Sequence, residues 1–313
     1  MANKNIPRSK KSIESSKKVN ENYKKDSSLL NFYNAHMKKI LIFTSLLLIL
    51  SISQLIYQTI TEGTPIKKGI SLTGGTEVTI YYKIENFEQL IDDFKKNFKE
   101  VRYSEIYQFG NFEGYVLETQ EQDSSKIKEL LEKNKIDLEK VNIRTTSSEL
   151  SKSFFKEILS AILIAYLIMS IVIFLRFKNF FVSFTMILAN ISNLIITLAI
   201  LNIIDFKLSI AGISALLMLI GYSIDTNILL ATRLIKEKGN IEELLSSSLK
   251  TGLLMSLTTL ATVSLGYLFT NSTTIKEIML ILIIGLISDI IMTWLQNVSL
   301  LLNYLKSKNK LKI

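Results

Sequence analysis

The chain has 313 residues, 48% of them hydrophobic, and a formal net charge of +9. It has no cysteine and one histidine, His36, which excludes disulfides, thiolate metal sites and centres built from several imidazoles. The basic residues cluster beside apolar segments, a pattern typical of cytoplasmic membrane flanks rather than of nucleic-acid binding. We therefore expect no metal, no cofactor and no nucleic acid as ligands.

Six segments are long and apolar enough to cross a bilayer, because about 20 residues span a hydrocarbon core of ~30 Å. Four contain no Lys, Arg, Asp or Glu and two contain one acid each; in chain order the six are 40–61, 158–175, 179–204, 208–232, 251–275 and 278–305. The first is too long for the apolar core of a cleavable signal peptide, so we predict an uncleaved anchor.

These segments predict the organisation of the chain. A basic, disordered leader (1–39) precedes the first helix (40–61), an α+β domain (62–153) follows, and helices two to six occupy 154–305 before a basic tail (306–313). The distribution of Lys and Arg predicts that both termini are cytoplasmic and that the α+β domain is external. The predicted fold class is a polytopic α-helical membrane protein with six transmembrane helices and an external ferredoxin-like domain between helices one and two.

The pattern within the α+β domain predicts the order β-α-β-β-α-β. Alternating β-formers predict strands, and apolar residues at helical spacing predict helices; the strands are 76–83, 102–108, 114–119 and 140–144, and the helices 86–98 and 123–135. This order is that of the ferredoxin-like split βαβ fold. Before the first strand, a double glycine predicts a tight turn with positive φ at one of the two; the motif residues are Thr73, Gly74, Gly75 and Thr76.

Two acids, Asp225 and Asp289, interrupt the fourth and sixth apolar segments. A carboxylate at membrane depth costs roughly 2.5–3.5 kcal/mol on insertion scales, so such residues are candidates for ion or proton handling. Counting about 1.5 Å per residue along each segment places the two acids at depths that differ by roughly 9 Å. We expect Asp225 to be buried and to relay protons, whereas for Asp289 proton relay and structure are evenly balanced.

Polar side chains accompany both acids: Ser223, Thr226 and Asn227 beside the first, and Thr293, Gln296 and Asn297 along one face after the second. Hydrogen bonding between helices is the favoured interpretation for these residues. Lys250 directly precedes the fifth apolar segment, at the inner edge of the helix. Such a lysine ordinarily extends to the lipid headgroups, and the alternative is that it reaches towards Asp225 as a third member of a proton relay.

Four motifs, in this order and on these helices, resemble the SecF family of the Sec protein-export pathway, in its archaeal type; they are Gly69–Thr76, Leu219–Arg233, Lys250–Thr259 and Ile284–Asn297. The family belongs to the resistance-nodulation-division superfamily. The resemblance covers residues 40–305 and implies that the six helices form half of a pseudo-twofold unit, which a SecD partner completes. It also implies that the chain is not an enzyme and that it lies in the lipid of the cytoplasmic membrane. There, the resemblance implies, proton flow assists the SecY channel in moving unfolded exported polypeptide.

The resemblance implies that Asp225 carries the proton and that Ser223 and Asn227 lie near the equivalent helix of SecD. The chain departs from the family pattern at three positions. It has Ser71 where the family often has an acid, Asn227 where archaeal relatives tend to carry a second acid, and Lys250 where the family usually has an arginine. Two alternatives stay open. One is half of a proton-driven small-molecule exporter, although such proteins have larger external domains. The other is an intramembrane aspartyl protease, although its Gly-x-Gly-Asp motif is absent.

No nucleotide-binding loop of the form Gly-x-x-x-x-Gly-Lys-Ser/Thr occurs in the sequence, so the energy source is expected to be something other than bound ATP.

Overall fold

The computed structural model of the chain describes residues 10–108, 111–270 and 272–308. Within these residues, six helices are long and apolar enough to cross a membrane: Leu29–Glu62, Lys156–Phe177, Phe180–Ile203, Ile210–Lys236, Ile241–Phe269 and Thr273–Ser307. The predicted fold class, a multi-pass helical membrane protein with a small α+β domain, is confirmed. The ends of the predicted leader and tail, residues 1–9 and 309–313, lie outside the described residues.

Helix α1 runs without a break from Lys10 to Glu62, so the prediction of a disordered leader is wrong for residues 10–39. From Leu30 onwards, the helix carries an apolar stripe whose members recur every three or four residues. The stripe is buried in the core of the membrane domain and comprises Leu30, Tyr33, Met37 and Ile40. The burial of these side chains outweighs the surrounding charges, and the first membrane helix begins before residue 40.

The α+β domain has the predicted ferredoxin-like topology. Its elements are α2 (Ile70–Thr73), β1 (Gly75–Ile80), α3 (Phe87–Asn97), β2 (Arg102–Gln108), β3 (Asn111–Thr119), α4 (Ser124–Lys133) and β4 (Val141–Thr146). The four strands pair antiparallel in the order β2-β3-β1-β4. Asp123 caps α4, since its carboxylate accepts a hydrogen bond from the Ser125 amide at 3.0 Å. The domain has its own apolar core, centred on Val78, Ile80, Leu90, Phe94, Leu117, Ile127 and Leu131.

Five further helices complete the membrane domain: α5 (Ser148–Phe177), α6 (Phe180–Ile203), α7 (Ile210–Ala231, extended by a π-helical turn over Thr232–Lys236), α8 (Ile241–Phe269) and α9 (Thr273–Ile291), which continues through a π-helical turn over Met292–Asn297 into α10 (Val298–Ser307). Polar side chains cap the first turns of α6, α7, α8 and α9 by accepting backbone N–H bonds; the caps are Asn179, Ser209, Asn240 and Ser272.

The helices of the membrane domain are unequally buried. In α6, α7 and the α9–α10 span, 50% to 56% of the most apolar stretch is buried, compared with 6% to 17% in α1, α5 and α8. Helices α6, α7 and α9 therefore form the interior, and α1, α5 and α8 present apolar surfaces that suit lipid or a partner protein.

The segment that enters the α+β domain is tied to the membrane helices by its main chain. The Gly69 amide donates to the Leu208 carbonyl at 2.9 Å, and the Leu208 amide donates to the Lys67 carbonyl at 2.8 Å. Gly74 and Gly75 then adopt φ values of 87° and 137°, so the predicted need for positive φ is confirmed at both positions. A Cβ atom on Gly74 would lie 2.5 Å from the Cα atom of Ser148, where the chain leaves the domain.

The open face of the sheet contacts the ends of the membrane helices. Lys207 pairs with Glu118 on β3 at 2.7 Å. The first turn of α9 takes part in two more contacts: Arg144 donates to the Thr274 hydroxyl, and Lys276 donates to the Tyr107 carbonyl, each at 3.1 Å. These contacts hold the domain against the loop that joins α6 to α7 and against the start of α9.

Candidate functional site

Asp289 lies at the centre of the membrane domain, where α9 packs against α7, and its side chain is 1% exposed. Its Oδ1 atom accepts hydrogen bonds from the hydroxyls of Ser223 at 2.5 Å and Thr293 at 3.2 Å. Its Oδ2 atom lies 3.2 Å from the Thr226 hydroxyl oxygen. Four of the predicted site residues therefore form one buried cluster between two helices.

A small residue permits the close approach of the two helices that carry this cluster. A Cβ atom on Gly285 of α9 would lie 2.3 Å from a methyl carbon of Leu219 on α7. Small residues at helix contacts allow backbones to approach in membranes, where apolar burial between helices contributes little. The glycine thus brings the Asp289 carboxyl within reach of hydroxyls on α7.

The amide side chains of the predicted polar set extend the cluster towards α10. Asn297 donates through Nδ2 to Oδ1 of Asn227 at 2.5 Å, and Asn227 donates to the Ser223 carbonyl at 2.8 Å. The Oε1 atom of Gln296 and the Oδ1 atom of Asn297 are buried without a hydrogen-bond partner in the described part of the chain. These two acceptors are exceptions, because buried polar atoms normally have a hydrogen-bond partner.

The π-helical turn over Met292–Asn297 places these side chains. Such turns leave the regular hydrogen-bond ladder and occur often at functional sites. The hydroxyl of Tyr33 on α1 donates to the main-chain carbonyl of Trp294 at 2.7 Å. A residue from the predicted leader thus stabilises the irregular turn, a contact that no local sequence pattern could indicate because the partners are 261 residues apart.

Asp225 lies on the opposite side of α7, and its side chain is exposed, so the expectation that it is buried is wrong. The reason is helical geometry, since consecutive residues are about 100° apart and those that face α9 leave position 225 outside. Asp225 belongs to an exposed stripe at i, i+3, i+4 and i+7 along α7, consisting of Met218, Gly221, Tyr222 and Asp225. Ser223 and Asn227, expected near the partner's equivalent helix, are buried instead.

The predicted depth difference between the two acids is also wrong. Asp225 lies fifteen residues after the first residue of α7, and Asp289 lies sixteen after the first residue of α9. The estimate started from the ends of apolar runs, but α9 begins at Thr273, within polar sequence. Asp289 consequently contacts the residues that flank Asp225.

Lys250 is exposed on α8. Among the ion pairs of the described residues, none joins Lys250 to Asp225. The alternative that Lys250 reaches towards Asp225 finds no contact here, and its position at the edge of the apolar segment suits extension to the headgroups.

Glu277 is a site residue that the sequence did not indicate. It lies near the start of α9, and its carboxylate accepts from the amide of Ser209 at 2.8 Å and from the Ser209 hydroxyl at 2.6 Å. The neighbouring amide of Ile210 donates to the hydroxyl of Ser71 at 3.2 Å. The first turn of α7 is therefore bound both by α9 and by the glycine motif. Glu277 resembles an exposed loop acid in sequence because its partner is 68 residues away.

The other motif residues serve the α+β domain rather than the membrane cluster. Thr73 donates to the Gly69 carbonyl at 3.3 Å, which closes the short helix α2. Thr76 donates to the Glu121 carbonyl at 2.7 Å inside the domain. The glycine motif is thus a joint between the two parts of the molecule, and it does not contribute to the Asp289 cluster.

Solved structures share this fold. The crystal structure of SecDF from Thermus thermophilus, described as a translocon-associated membrane protein, superposes with a TM-score of 0.68 at 19% identity. The match covers 87% of the present chain but only 38% of the SecDF chain, so this chain spans well under half of that structure. SecDF in its super-membrane-facing form gives a TM-score of 0.58 over 88% of the chain.

Sequence comparisons are more specific. The family of the protein-export membrane proteins SecD and SecF, in its C-terminal part, matches residues 126–307. The protein-export membrane protein SecF of Methanolacinia petrolearia is 32% identical, covering 84% of this chain and 92% of the relative. SecF of Methanocaldococcus jannaschii is 34% identical, and the match covers 79% of this chain and 90% of the relative. SecF of Pyrococcus furiosus is also 34% identical, and the match covers 87% of this chain and 92% of the relative. The chain therefore belongs to the SecD/SecF family of protein-export membrane proteins, as a multi-pass member of the SecF type.

Proposed function

We propose that this chain works beside a SecD partner in the cytoplasmic membrane and assists the SecY channel in moving unfolded polypeptide outward, using the proton gradient. The observation that carries the proposal is the exposed position of Asp225 in the middle of a membrane-spanning helix. A carboxylate that faced hydrocarbon there would cost roughly 2.5–3.5 kcal/mol on insertion scales. Asp225 is therefore expected to face a second protein and a path for protons.

The stripe that contains Asp225 has the properties of a helix-packing surface. Gly221 has open space where a Cβ atom would project, so another helix could approach the backbone closely. Tyr222 and Met218 flank it with side chains that are 40% and 42% exposed. The helix of SecD that corresponds to α7 is the proposed occupant. The match to only 38% of the SecDF chain leaves room for such a partner.

The distribution of charge supports the proposed orientation. The turn between α7 and α8 carries Arg233, Lys236 and Lys238, and α10 carries Lys306 near its end. Because positive residues in short loops tend to stay in the cytoplasm, this distribution supports cytoplasmic termini and an external α+β domain. In that position the domain could hold polypeptide that emerges from the channel.

The proposal predicts the effect of Asp225→Asn, which keeps the size of the side chain but cannot titrate. The complex should still assemble, while export stimulated by an imposed proton gradient should fall to the level measured without the gradient. Vesicle export with and without a gradient, and levels of the complex in the same membranes, would measure both effects. The control is Asp205→Asn, an acid outside the membrane spans that should leave stimulation intact. Full stimulation in Asp225→Asn would show that this acid is not the relay.

A further inference from the structure

We propose that Asp289 is a proton-binding site and that it holds its proton in the arrangement described here. The inference deepens the proposed function and rests on it, since a proton-driven SecF unit must bind protons at defined atoms. In this proposal the buried acid holds a proton between α7 and α9. This position is on the side of α7 that faces away from the stripe with Asp225.

Thr226 has too few hydrogens to donate to both of its neighbouring oxygens. Its hydroxyl has one hydrogen and two neighbouring oxygens, the Ser223 carbonyl at 2.9 Å and the Oδ2 atom of Asp289 at 3.2 Å. The shorter contact is the bond back to its own helix, and it uses the hydrogen. The Thr226 oxygen then presents only lone pairs to Oδ2, and that contact is a hydrogen bond only if Oδ2 carries a hydrogen.

The other carboxyl oxygen has the surroundings of a carbonyl. Oδ1 accepts from the hydroxyls of Ser223 and Thr293, which fills both of its lone-pair directions. In a neutral carboxylic acid at this position, both oxygens thus have hydrogen-bond partners: the carbonyl oxygen accepts two bonds, and the O–H group donates one. Both carboxyl oxygens have a role in this arrangement only when one of them is protonated.

Asp289 also lacks a compensating charge. Of the helices packed against α9, α6 has no ionisable residue, and α7 has Tyr222 and the outward-facing Asp225. Helix α8 carries Glu242, Glu243, Lys250 and Tyr267, and the π-helical turn after α9 carries no charge. Among the described residues, none of these groups pairs with Asp289. A buried carboxylate without a cation is costly, and the protonated form avoids that cost.

The site can also lose its proton with little rearrangement. When the O–H bond at Oδ2 breaks and the proton passes to water, the Thr226 hydroxyl can rotate from the Ser223 carbonyl to Oδ2. The carboxylate then accepts three hydroxyl bonds. The Ser223 carbonyl keeps its second donor, because Asn227 also binds it at 2.8 Å. A single hydroxyl rotation therefore separates the loaded site from the unloaded one.

The orphan polar atoms indicate a direction for the proton. Eight buried side-chain atoms of the described residues lack a hydrogen-bond partner, and three of them are on Asn34, Gln58 and Ser151. The other five occur in the turn after α9, in α10 and in the first turn of α6; they are Trp294 Nε1, Gln296 Oε1, Asn297 Oδ1, Ser299 Oγ and Ser183 Oγ. These five lie between Asp289 and the end of the bundle that carries α10, on the side away from the α+β domain. Each can bind one water, and together they form the proposed route between Asp289 and that surface.

Infrared difference spectroscopy of the assembled complex, reconstituted in lipid at neutral pH, tests the proposal. A protonated carboxyl has a C=O stretching band that a carboxylate lacks, so wild type minus Asp289→Asn should show this band as a positive peak. The asparagine is nearly isosteric with the neutral acid and can make the same three hydrogen bonds, so the fold should be retained. Asp225→Asn is the matched control and should keep the Asp289 band. A wild-type spectrum equal to that of Asp289→Asn would overturn the proposal.

A second pair of variants tests the assignment of the proton to Oδ2. Thr226→Val removes the acceptor of the acid O–H bond at nearly constant volume and should shift the frequency of the band. Thr259→Val removes a hydroxyl that donates only to its own helix, to the Met255 carbonyl at 3.0 Å, and should leave the band in place. An unshifted band in Thr226→Val would refute the assignment.

The infrared readout is independent of transport. An absent band together with gradient-dependent export would reject only the Asp289 site. A band that behaves as expected without gradient-dependent export would reject the proposed function and leave the binding site standing.

Discussion

At the scale of single residues, the membrane domain places two acids at similar depth on opposite sides of one helix. Asp289 is enclosed by hydroxyls that bind it directly, whereas Asp225 faces outward beside a glycine. Their different surroundings suggest different tasks, the first holding a proton within the chain and the second exchanging it at the junction with a partner. Helix α7 is the element common to both.

Glu277→Gln tests the residue that joins α9 to the start of α7. Hydrogen bonds to a charged group contribute about 1.5–3 kcal/mol, and glutamine has only one oxygen to accept from the Ser209 amide and hydroxyl. The midpoint of thermal unfolding in detergent should fall. Glu157→Gln is the control, because the Glu157 contact with Ser153 is exposed and long, at 3.3 Å. Equal loss in the two variants would mean that the half-buried carboxylate of Glu277 has no special role.

The sequence predicted the site residues better than it predicted their faces. Both acids and the six polar residues stand out in the sequence, because a polar atom in an apolar segment is conspicuous whatever its orientation. The faces could not be assigned, since α7 is apolar around most of its circumference and the contrast that orients a soluble amphipathic helix is missing. Which side of α7 meets α9 depends on contacts such as Gly285 with Leu219, which are distant in sequence.

At the scale of elements, the predicted helices and strands exist, with ends that differ by a few residues in the α+β domain. The larger errors come from tertiary contacts. The first membrane helix begins before residue 40 because an apolar stripe from Leu30 onwards is buried, and α9 begins before its apolar segment because Ser272 caps it. The two π-helical turns have no sequence signature, since a shift in hydrogen bonding leaves the hydrophobic pattern almost unchanged.

Tyr33→Phe tests how α1 stabilises the turn over Met292–Asn297. The variant removes the bond to the Trp294 carbonyl, and a hydrogen bond of this kind contributes about 0.5–1.5 kcal/mol. Amide hydrogen exchange in the turn should become faster, because the freed carbonyl can leave its place. Tyr57→Phe, on the same helix at a position that is 67% exposed, should not change that exchange. Unchanged protection in Tyr33→Phe would show that the turn is stable by itself.

At the scale of the whole molecule, the exposed stripe on α7 predicts where a partner can be cross-linked. Met218→Cys and Tyr222→Cys should form cross-links to SecD, since both side chains are exposed. Ser223→Cys and Asn227→Cys are matched controls on the same turns and should not react, because their side chains are 1% and 0% exposed. Cross-links that yield only homodimers of this chain would contradict the proposed arrangement.

The contact between the sheet and the membrane helices predicts a dependence of stability on pH. Burial on the covered face raises the pKa of Glu77 above its ordinary value, and the charge of Glu118 adds to this while Arg144 opposes it. The folded chain therefore binds this proton more tightly than the unfolded chain does. Ionised Glu77 lowers stability at pH values above its folded-state pKa, and this penalty disappears as the pH falls towards about 4, near the usual value for glutamate.

Glu77→Gln should accordingly be more stable than wild type at neutral pH, with a difference that vanishes near pH 4. Thermal unfolding of the two proteins across this range measures the effect. Glu139→Gln, on an exposed turn of the same domain, should leave the pH profile unchanged. A neutral-pH loss of stability in Glu77→Gln would mean that the charge is compensated on this face.

The close approach of Gly74 to Ser148 has a mechanical consequence. The chain enters and leaves the α+β domain through this one crossing, and the segment before it is fastened to α7 through Leu208 and Ser71. When the contacts of Lys207, Arg144 and Lys276 are released, the domain stays attached at this crossing and can rotate about it. A small tilt of α7 would then displace the far edge of the domain by much more than it displaces the residues at the crossing.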